Sequence, residues 1–162
     1  MANELTVDSM PVAADDFVSQ AKAATGLDLD YSARSLQQVE QILEHFHSSK
    51  DRPEGFKGLL FTCGAYVGEV LRRQHGGRWV ALASLPEKTS RNVSEYVTDL
   101  PIAFECEGVF LSPYDKVRKR VENGAEDSIT HWANLATKKQ FVEVRQLGRP
   151  KPGFLARLFG RS

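Results

Sequence analysis

The 162-residue sequence lacks the features that mark membrane-spanning and secreted proteins. No apolar run approaches the length of about 18 residues that crosses a bilayer. The N-terminus has no basic start followed by an apolar stretch, so it does not resemble a secretory signal. Only two cysteines, Cys63 and Cys106, are present, and they form no CxxC motif. This pattern favours reduced thiols over a disulfide framework, and we predict a cytoplasmic protein.

Net charge is also absent, because 21 Lys and Arg residues balance 21 Asp and Glu residues. A neutral chain has no overall field that attracts nucleic acid, and we expect no nucleic-acid partner. The balance hides an asymmetry, since residues 1–54 carry ten acidic and four basic side chains and the remainder carries the opposite excess. The two regions could associate head to tail between molecules, or they could be two solvated surfaces.

Motifs for metal binding, nucleophilic catalysis and phosphate binding are missing as well. His45 and His47 lie two residues apart on a predicted helix and point about 200° apart, so they cannot share a metal ion. No GxSxG, Walker or GxGxxG segment occurs. Cys63 falls on an apolar helix face, where a thiol is a small buried hydrophobe. We predict no metal, no cofactor and no catalytic residue.

What the sequence does contain is enough apolar material, 41% of its residues, for one domain core. Runs of helix signals surround a group of strand signals, which predicts an α+β fold with N-terminal helices, a small central antiparallel sheet of about three to four strands and two further helices. We predict a flexible segment over 1–10, a single domain over 11–144 and a basic, proline-containing tail over 145–162.

The helix and strand signals give approximate boundaries within this domain. Helices are predicted at about 12–24, 32–47 and 56–75, and again from 112 and from 126. Strands are predicted at 78–83, on either side of a turn at 107–108, and at 141–144. Residues 84–100 are predicted to be a long loop or a frayed strand.

Two glycines, Gly64 and Gly68, lie one turn apart inside the third predicted helix. Each costs about 1 kcal/mol relative to alanine in a helix interior, so we expect another backbone to approach closely there. The helix also carries charged residues, which excludes a membrane GxxxG interface. We predict that four apolar side chains are buried together in the core: Trp79, Trp132, Phe104 and Val70.

Glu69 is the most distinctive ionisable residue of this helix, and it is predicted to face away from the apolar arc. Arg72 and Arg73 follow three and four residues later, which is typical of surface ion pairs. Alternatively, the Glu69 carboxylate forms the floor of a groove and binds a partner's cation. The candidate binding residues are Tyr66, Glu69, Arg72 and Arg78.

Two basic segments complete the pattern. Helix four carries Lys116, Arg118, Lys119 and Arg120, and a solvated face is the predicted arrangement. The tail 145–162 has five cations and no acid. At helical spacing it places Phe154, Leu155, Leu158 and Phe159 on one face. Such a segment folds when it docks onto its own domain, onto a partner or onto an anionic membrane surface.

Four short segments together resemble a bacterial domain family of unknown function that has a GAYxGE helix followed by a Gly-Gly-x-Trp turn. The segments are Gly64–Glu69, Gly76–Trp79, Pro113 with Val117, and Glu126–Ile129. The family is similar to small proteins found near bacterial toxin and immunity genes. The resemblance covers about residues 28–135 and implies a bacterial cytoplasmic protein, without assigning an activity.

Three functions are compatible with these features. The first is a non-enzymatic interaction protein, an adaptor or immunity-type binder, whose partner is another protein or a second copy of the chain. The second is an enzyme or small-ligand-binding domain that uses Glu69 and Tyr66 in a cleft. The third is a peripheral membrane protein held by its tail. A deep pocket in which Glu69 and Tyr66 converge would favour the second, and a flat surface would favour the first.

Overall fold

The computed structural model describes residues 5–97 and 100–137, and these residues form an α+β domain, as predicted. The helices are α1 (Ser9–Thr25), α2 (Ser35–Ser49), α3 (Phe56–His75), α4 (Glu87–Ser94), α5 (Pro113–Asn123) and α6 (Ile129–Thr137). The strands are β1 (Arg78–Ala81), β2 (Ile102–Cys106) and β3 (Val109–Leu111). The predicted strand at 141–144 and the tail 145–162 lie outside the described residues.

The three strands form one antiparallel sheet in the order β1-β2-β3. Glu107 and Gly108 join β2 to β3, and both have positive φ angles, of 50° and 79°. Two consecutive positive φ angles are the requirement of a type I′ hairpin turn, which suits the twist of the paired strands. Ile102, Phe104 and Cys106 face the main core, as their alternate spacing predicts.

Helix α3 is the centre of the domain, and it packs against α1 and against α5. Every residue from 62 to 71 is buried, which includes all faces of the helix. A helix that is enclosed on all sides has no solvated face. A residue of this stretch that looks polar in the sequence must therefore find its partners inside the protein.

The predicted core is confirmed, because Trp79, Trp132, Phe104 and Val70 are all buried in one hydrophobic cluster. The ring centroids of Trp79 and Phe104 lie 5.3 Å apart in an edge-to-face arrangement. Cys63 is fully buried, also as predicted, and burial raises the pKa of its thiol. Its sulfur therefore belongs to the core as a neutral group.

Gly64 confirms the expected close approach of a second backbone. A β-carbon at this position would lie 2.8 Å from the Cα of Tyr114, in the first turn of α5. That helix begins as predicted, with the Ser112 side chain accepting a hydrogen bond from the Asp115 N–H and Pro113 in the first turn. The glycine thus allows α3 and α5 to pack at short range.

Most predicted boundaries shift by a few residues, and two segments differ from the prediction in kind. The first helix begins at Ser9, and Met10, which was assigned to a flexible segment, is 1% exposed in the core. Residues 87–94 form α4, where a loop or frayed strand was predicted. Val93 is the only buried residue of α4, so this helix presents no apolar stripe for a sequence pattern to detect.

The prediction of a solvated basic face on α5 is wrong for two of its four residues. Lys116 and Arg120 are 7% and 4% exposed. Lys116 pairs with Asp127 at 2.7 Å, and Arg120 pairs with Glu40 and Glu44 of α2. These cations are buried because acidic side chains of neighbouring elements face them. Acidic and basic segments of the sequence therefore meet inside one molecule.

Candidate functional site

Glu69 lies in a buried hydrogen-bond cluster and not on an open face. Its side chain is 0% exposed. Carboxylate atom Oε1 accepts hydrogen bonds from the indole N–H of Trp79 and from Nε of Arg72, both at 2.9 Å, and Oε2 accepts one from Nη2 of Arg72 at 2.7 Å. Both interpretations of the sequence put this carboxylate in contact with solvent, and on that point both are wrong.

The electrostatics of the cluster keep Glu69 ionised. Burial alone would raise the pKa of the carboxyl, but the hydrogen bonds from Arg72 and Trp79 outweigh it, together with the charges of Arg72 and Arg73. The pKa of Glu69 is therefore held below its ordinary value. Its hydrogen bonds also raise the pKa of Arg72. The pair is charged at neutral pH and joins α3 to β1 through Trp79.

Arg73 extends the cluster to the link between α1 and α2. Its Nε lies 3.7 Å from Oε2 of Glu69, and its guanidinium lies 3.5 Å from the ring centroid of Tyr31. Tyr31 has a positive φ of 60° and donates its hydroxyl to Asp15 of α1. Burial and the nearby Asp15 raise the pKa of this hydroxyl. The cation–π contact thus connects α3 to the chain that precedes α2.

Tyr66 has separate partners. Its side chain is fully buried, and its hydroxyl accepts a hydrogen bond from the Tyr31 N–H at 3.0 Å and lies 2.6 Å from Oγ of Ser35. Burial raises the pKa of Tyr66. Because the hydroxyl binds the backbone at a positive-φ residue, it holds the turn before α2 in place. Tyr66 and Glu69 are both integrated into the interior.

Arg78 stands apart from this cluster. It lies at the start of β1, is 74% exposed and pairs with Glu105 of β2 at 3.0 Å. The structure therefore brings Glu69 and Arg72 together, leaves Arg78 on the sheet and adds Trp79, which sequence reasoning did not connect to Glu69. A buried indole N–H requires an acceptor, and that requirement is the signal that could have paired Trp79 with a carboxylate.

A groove lies beside α1, where this helix faces α2 and the first turns of α3. It consists of two cavities of about 640 Å³ and 580 Å³ that share Gln20, Pro53 and Leu59. We call it the α1–α2 groove. Its apolar lining includes Phe17, Ala21, Leu27, Ile42, Phe46 and Leu59. Neither cavity is lined by Tyr66 or Glu69.

The charged residues of the α1–α2 groove are all acidic. Asp16, Asp51 and Glu54 line it, and no Lys or Arg is among the lining residues of either cavity. The neighbouring Arg52 donates to the carbonyl oxygen of Phe46 and lies 4.8 Å from the ring centroid of Phe56. The groove thus combines an apolar floor with a rim of three carboxylates, and the Arg52 guanidinium lies against two of its lining residues.

Two other classes of feature are absent from the described residues. In the ranges 5–97 and 100–137, no group of three or more His, Cys, Asp or Glu side chains is arranged to hold a metal ion. No helix in these ranges is both long and apolar enough to span a membrane. The predicted docking residues Phe154, Leu155, Leu158 and Phe159 lie outside the described part of the chain.

Comparison of the chain with protein-family models, with curated proteins and with solved structures finds no match in any of the three.

Proposed function

We propose that this chain is a non-enzymatic interaction protein of the bacterial cytoplasm, an adaptor or immunity-type binder, and that its binding surface is the α1–α2 groove. The supporting observation is a contrast in accessibility. Tyr66 and Glu69 are 0% exposed and have internal partners, whereas the groove leaves Ile42, Phe46 and Leu59 partly exposed. A general acid or base must reach the proton that it transfers, and these two side chains face only protein.

The chemistry of the groove points to a protein segment as the partner. Its two cavities are large enough for several apolar side chains, and their lining is mostly apolar. The rim carboxylates Asp16, Asp51 and Glu54 favour cations and disfavour acidic partners. The expected ligand is therefore an amphipathic segment of a protein, with apolar side chains on one face and Lys or Arg beside them.

Affinity capture with the full-length chain tests the proposal. The wild-type protein is immobilised in an extract of the native cell, beside a charge-reversal variant of the rim, Asp51→Lys. We expect a captured protein that binds the wild type and is lost from the Asp51→Lys variant, because the variant repels a cationic segment. Mapping the bound region should identify a basic amphipathic stretch.

A second charge reversal supplies the matched control. Glu87 lies on α4, outside the groove, and its side chain is 87% exposed. The Glu87→Lys variant changes the net charge by the same amount and should retain the captured protein. Equal loss with both variants would indicate nonspecific charge binding. Equal retention would show that the partner binds elsewhere, and either result contradicts the proposed surface.

A further inference from the structure

The α1–α2 groove and the last 13 residues of this chain have complementary chemistry. The groove lining holds three carboxylates and no Lys or Arg, around an apolar floor. Residues 150–162 contain Lys151, Arg157 and Arg161, no acidic residue, and the apolar group Phe154, Leu155, Leu158 and Phe159. We propose that residues 150–162 occupy the α1–α2 groove of their own chain. This inference rests on the proposed function, because it names a segment that the groove binds.

The length of the intervening chain permits this contact. Helix α6 ends at Thr137, and the 12 residues from 138 to 149 can span roughly 40 Å when extended. A domain of this size is on the order of 35–40 Å across. The segment can therefore reach the groove from α6 without any rearrangement of the described helices. Pro150 and Pro152 favour an extended approach.

Physical costs favour the chain's own segment over a second copy. A tethered segment is held at an effective concentration in the millimolar range, so even weak complementarity fills the groove. A segment from another molecule must pay for the lost freedom of association. An external partner would then have to displace the segment, which raises its apparent dissociation constant.

The test uses two full-length variants that add the same single carboxylate. Leu158→Asp puts the charge on the apolar face of the segment, whereas Ala156→Asp puts it on the other side of the same helical turn. The probe is a fluorescent synthetic peptide with the sequence of residues 150–162. We expect the Leu158→Asp chain to bind the peptide at least about tenfold more tightly than the wild type, because its groove is vacated. The Ala156→Asp chain should behave as the wild type.

Nuclear magnetic resonance locates the contact. Backbone amide shifts of Ala21, Ile42 and Phe46 should differ between the wild type and Leu158→Asp, and peptide should restore them. Amides of β1 to β3 should not change. As a second variant, Asp51→Asn weakens the rim without altering the tail, and it should shift the same groove amides towards the values of Leu158→Asp. This variant keeps the test decisive if Leu158→Asp fails to fold.

The outcomes separate this inference from the proposed function. Equal, tight peptide binding by the wild type and Leu158→Asp would overturn occupancy by the chain's own segment and leave the groove as a binding surface. Failure of both chains to bind the peptide, with unchanged groove amides, would overturn the inference alone, because the capture experiment with Asp51→Lys tests the proposed function separately. Wild-type amide shifts that vary with protein concentration, with dimers in sedimentation, would assign the segment to a second copy and contradict the inference.

Discussion

The indole ring of Trp79 lies where a side chain on Gly68 would be. A β-carbon built on Gly68 would be 2.1 Å from Cζ2 of that ring. Because the glycine leaves this space, the indole can enter far enough for its N–H to reach Glu69, the next residue of α3, at 2.9 Å. Gly68 and Glu69 thus act together, one admitting the ring and the other binding it.

A methyl group at Gly68 should therefore destabilise the protein. The ring of Trp79 cannot shift freely, because it packs edge-to-face on Phe104 and is bonded to Glu69. We expect Gly68→Ala to lower the free energy of unfolding by at least about 1–3 kcal/mol, as overpacking does. Urea denaturation followed by tryptophan fluorescence measures this change.

Gly58 supplies the matched control within the same helix. A β-carbon there would meet nothing within 4 Å. Alanine is favoured over glycine in a helix by about 1 kcal/mol, so Gly58→Ala should stabilise the protein or leave it unchanged. If Gly68→Ala is as well tolerated as Gly58→Ala, the close contact between Gly68 and Trp79 does not constrain the fold.

Removing the charge of Glu69 should destabilise the protein in a pH-dependent way. Glu69→Gln removes the charge and one of the two oxygens that accept hydrogen bonds from Arg72, and we expect a loss of about 1–3 kcal/mol in the free energy of unfolding at pH 7. The pKa of Glu69 is lowered in the folded state. Its charge therefore stabilises the fold above the unfolded pKa of about 4.3, and that contribution disappears as pH falls through the lower folded value.

Denaturation of the wild type and Glu69→Gln at several pH values tests whether the stabilisation by the Glu69 charge is lost as the pH falls. The difference between them should be constant at neutral pH and should shrink below about pH 4, where the wild-type carboxyl also becomes neutral. Glu87→Gln, which alters an exposed pair with Arg91, should match the wild type at pH 7. A difference between wild type and Glu69→Gln that grows on acidification would contradict the ionised buried carboxylate.

Helix α3 shows which parts of the fold the sequence could predict. Its length, its end at the Gly76–Gly77 pair and its close contact at Gly64 follow from local signals, and each is confirmed. The sequence could not predict that its polar side is also covered. Burial of Glu69 depends on Trp79, which lies ten residues later and reaches it only after the chain turns into β1.

The α1–α2 groove, like the burial of Glu69, could not be predicted from local sequence signals. Its walls come from α1, α2, the loop before α3 and the first turns of α3, and their residues look like ordinary partly apolar helix faces in the sequence. The separation of two helices is a property of tertiary packing, and no local pattern encodes it. By contrast, the amphipathic character of residues 154–159 is visible in the sequence because it depends only on local spacing.

Trp132 allows a test of how much α6 contributes to the hydrophobic core. It lies on α6, is 6% exposed and belongs to the same hydrophobic cluster as Trp79. We expect Trp132→Ala to lower the free energy of unfolding by about 3–5 kcal/mol, because it leaves a large cavity. Val12→Ala is the control. Because Val12 is 61% exposed, this variant should have a melting temperature close to that of the wild type. A melting temperature of Trp132→Ala within about a degree of the wild-type value would contradict the placement of Trp132 in the core.

The contact between Arg120 and Glu40 connects the acidic and basic regions of the chain. Arg120 of α5 is buried, and it binds Glu40 and Glu44 of α2. Glu40 also accepts hydrogen bonds from the Ser128 hydroxyl and the Thr130 N–H, at the start of α6. One carboxylate therefore joins three helices. Charges that look available for association between molecules are partly used within the domain.

Loss of the Arg120 cation should consequently be costly. Arg120→Gln leaves Glu40 facing a poorly solvated site without its main countercharge, and we expect a loss of about 3–5 kcal/mol in the free energy of unfolding. Arg91→Gln removes the same kind of side chain from an exposed pair on α4 and should have no measurable effect. Comparison of the two variants shows whether the loss of stability comes from the burial of the ion pair or from the removal of any arginine charge.

A double-mutant cycle then isolates the pairwise interaction. If Arg120 and Glu40 stabilise each other, the losses of Arg120→Gln and Glu40→Gln will not add, and their coupling should be roughly 1–3 kcal/mol. Glu40→Gln should also weaken the start of α6, because its carboxylate binds the Thr130 N–H, and hydrogen exchange of that amide should accelerate. Additive losses, with unchanged exchange at Thr130, would mean that α2, α5 and α6 are held together by apolar packing and not by this carboxylate.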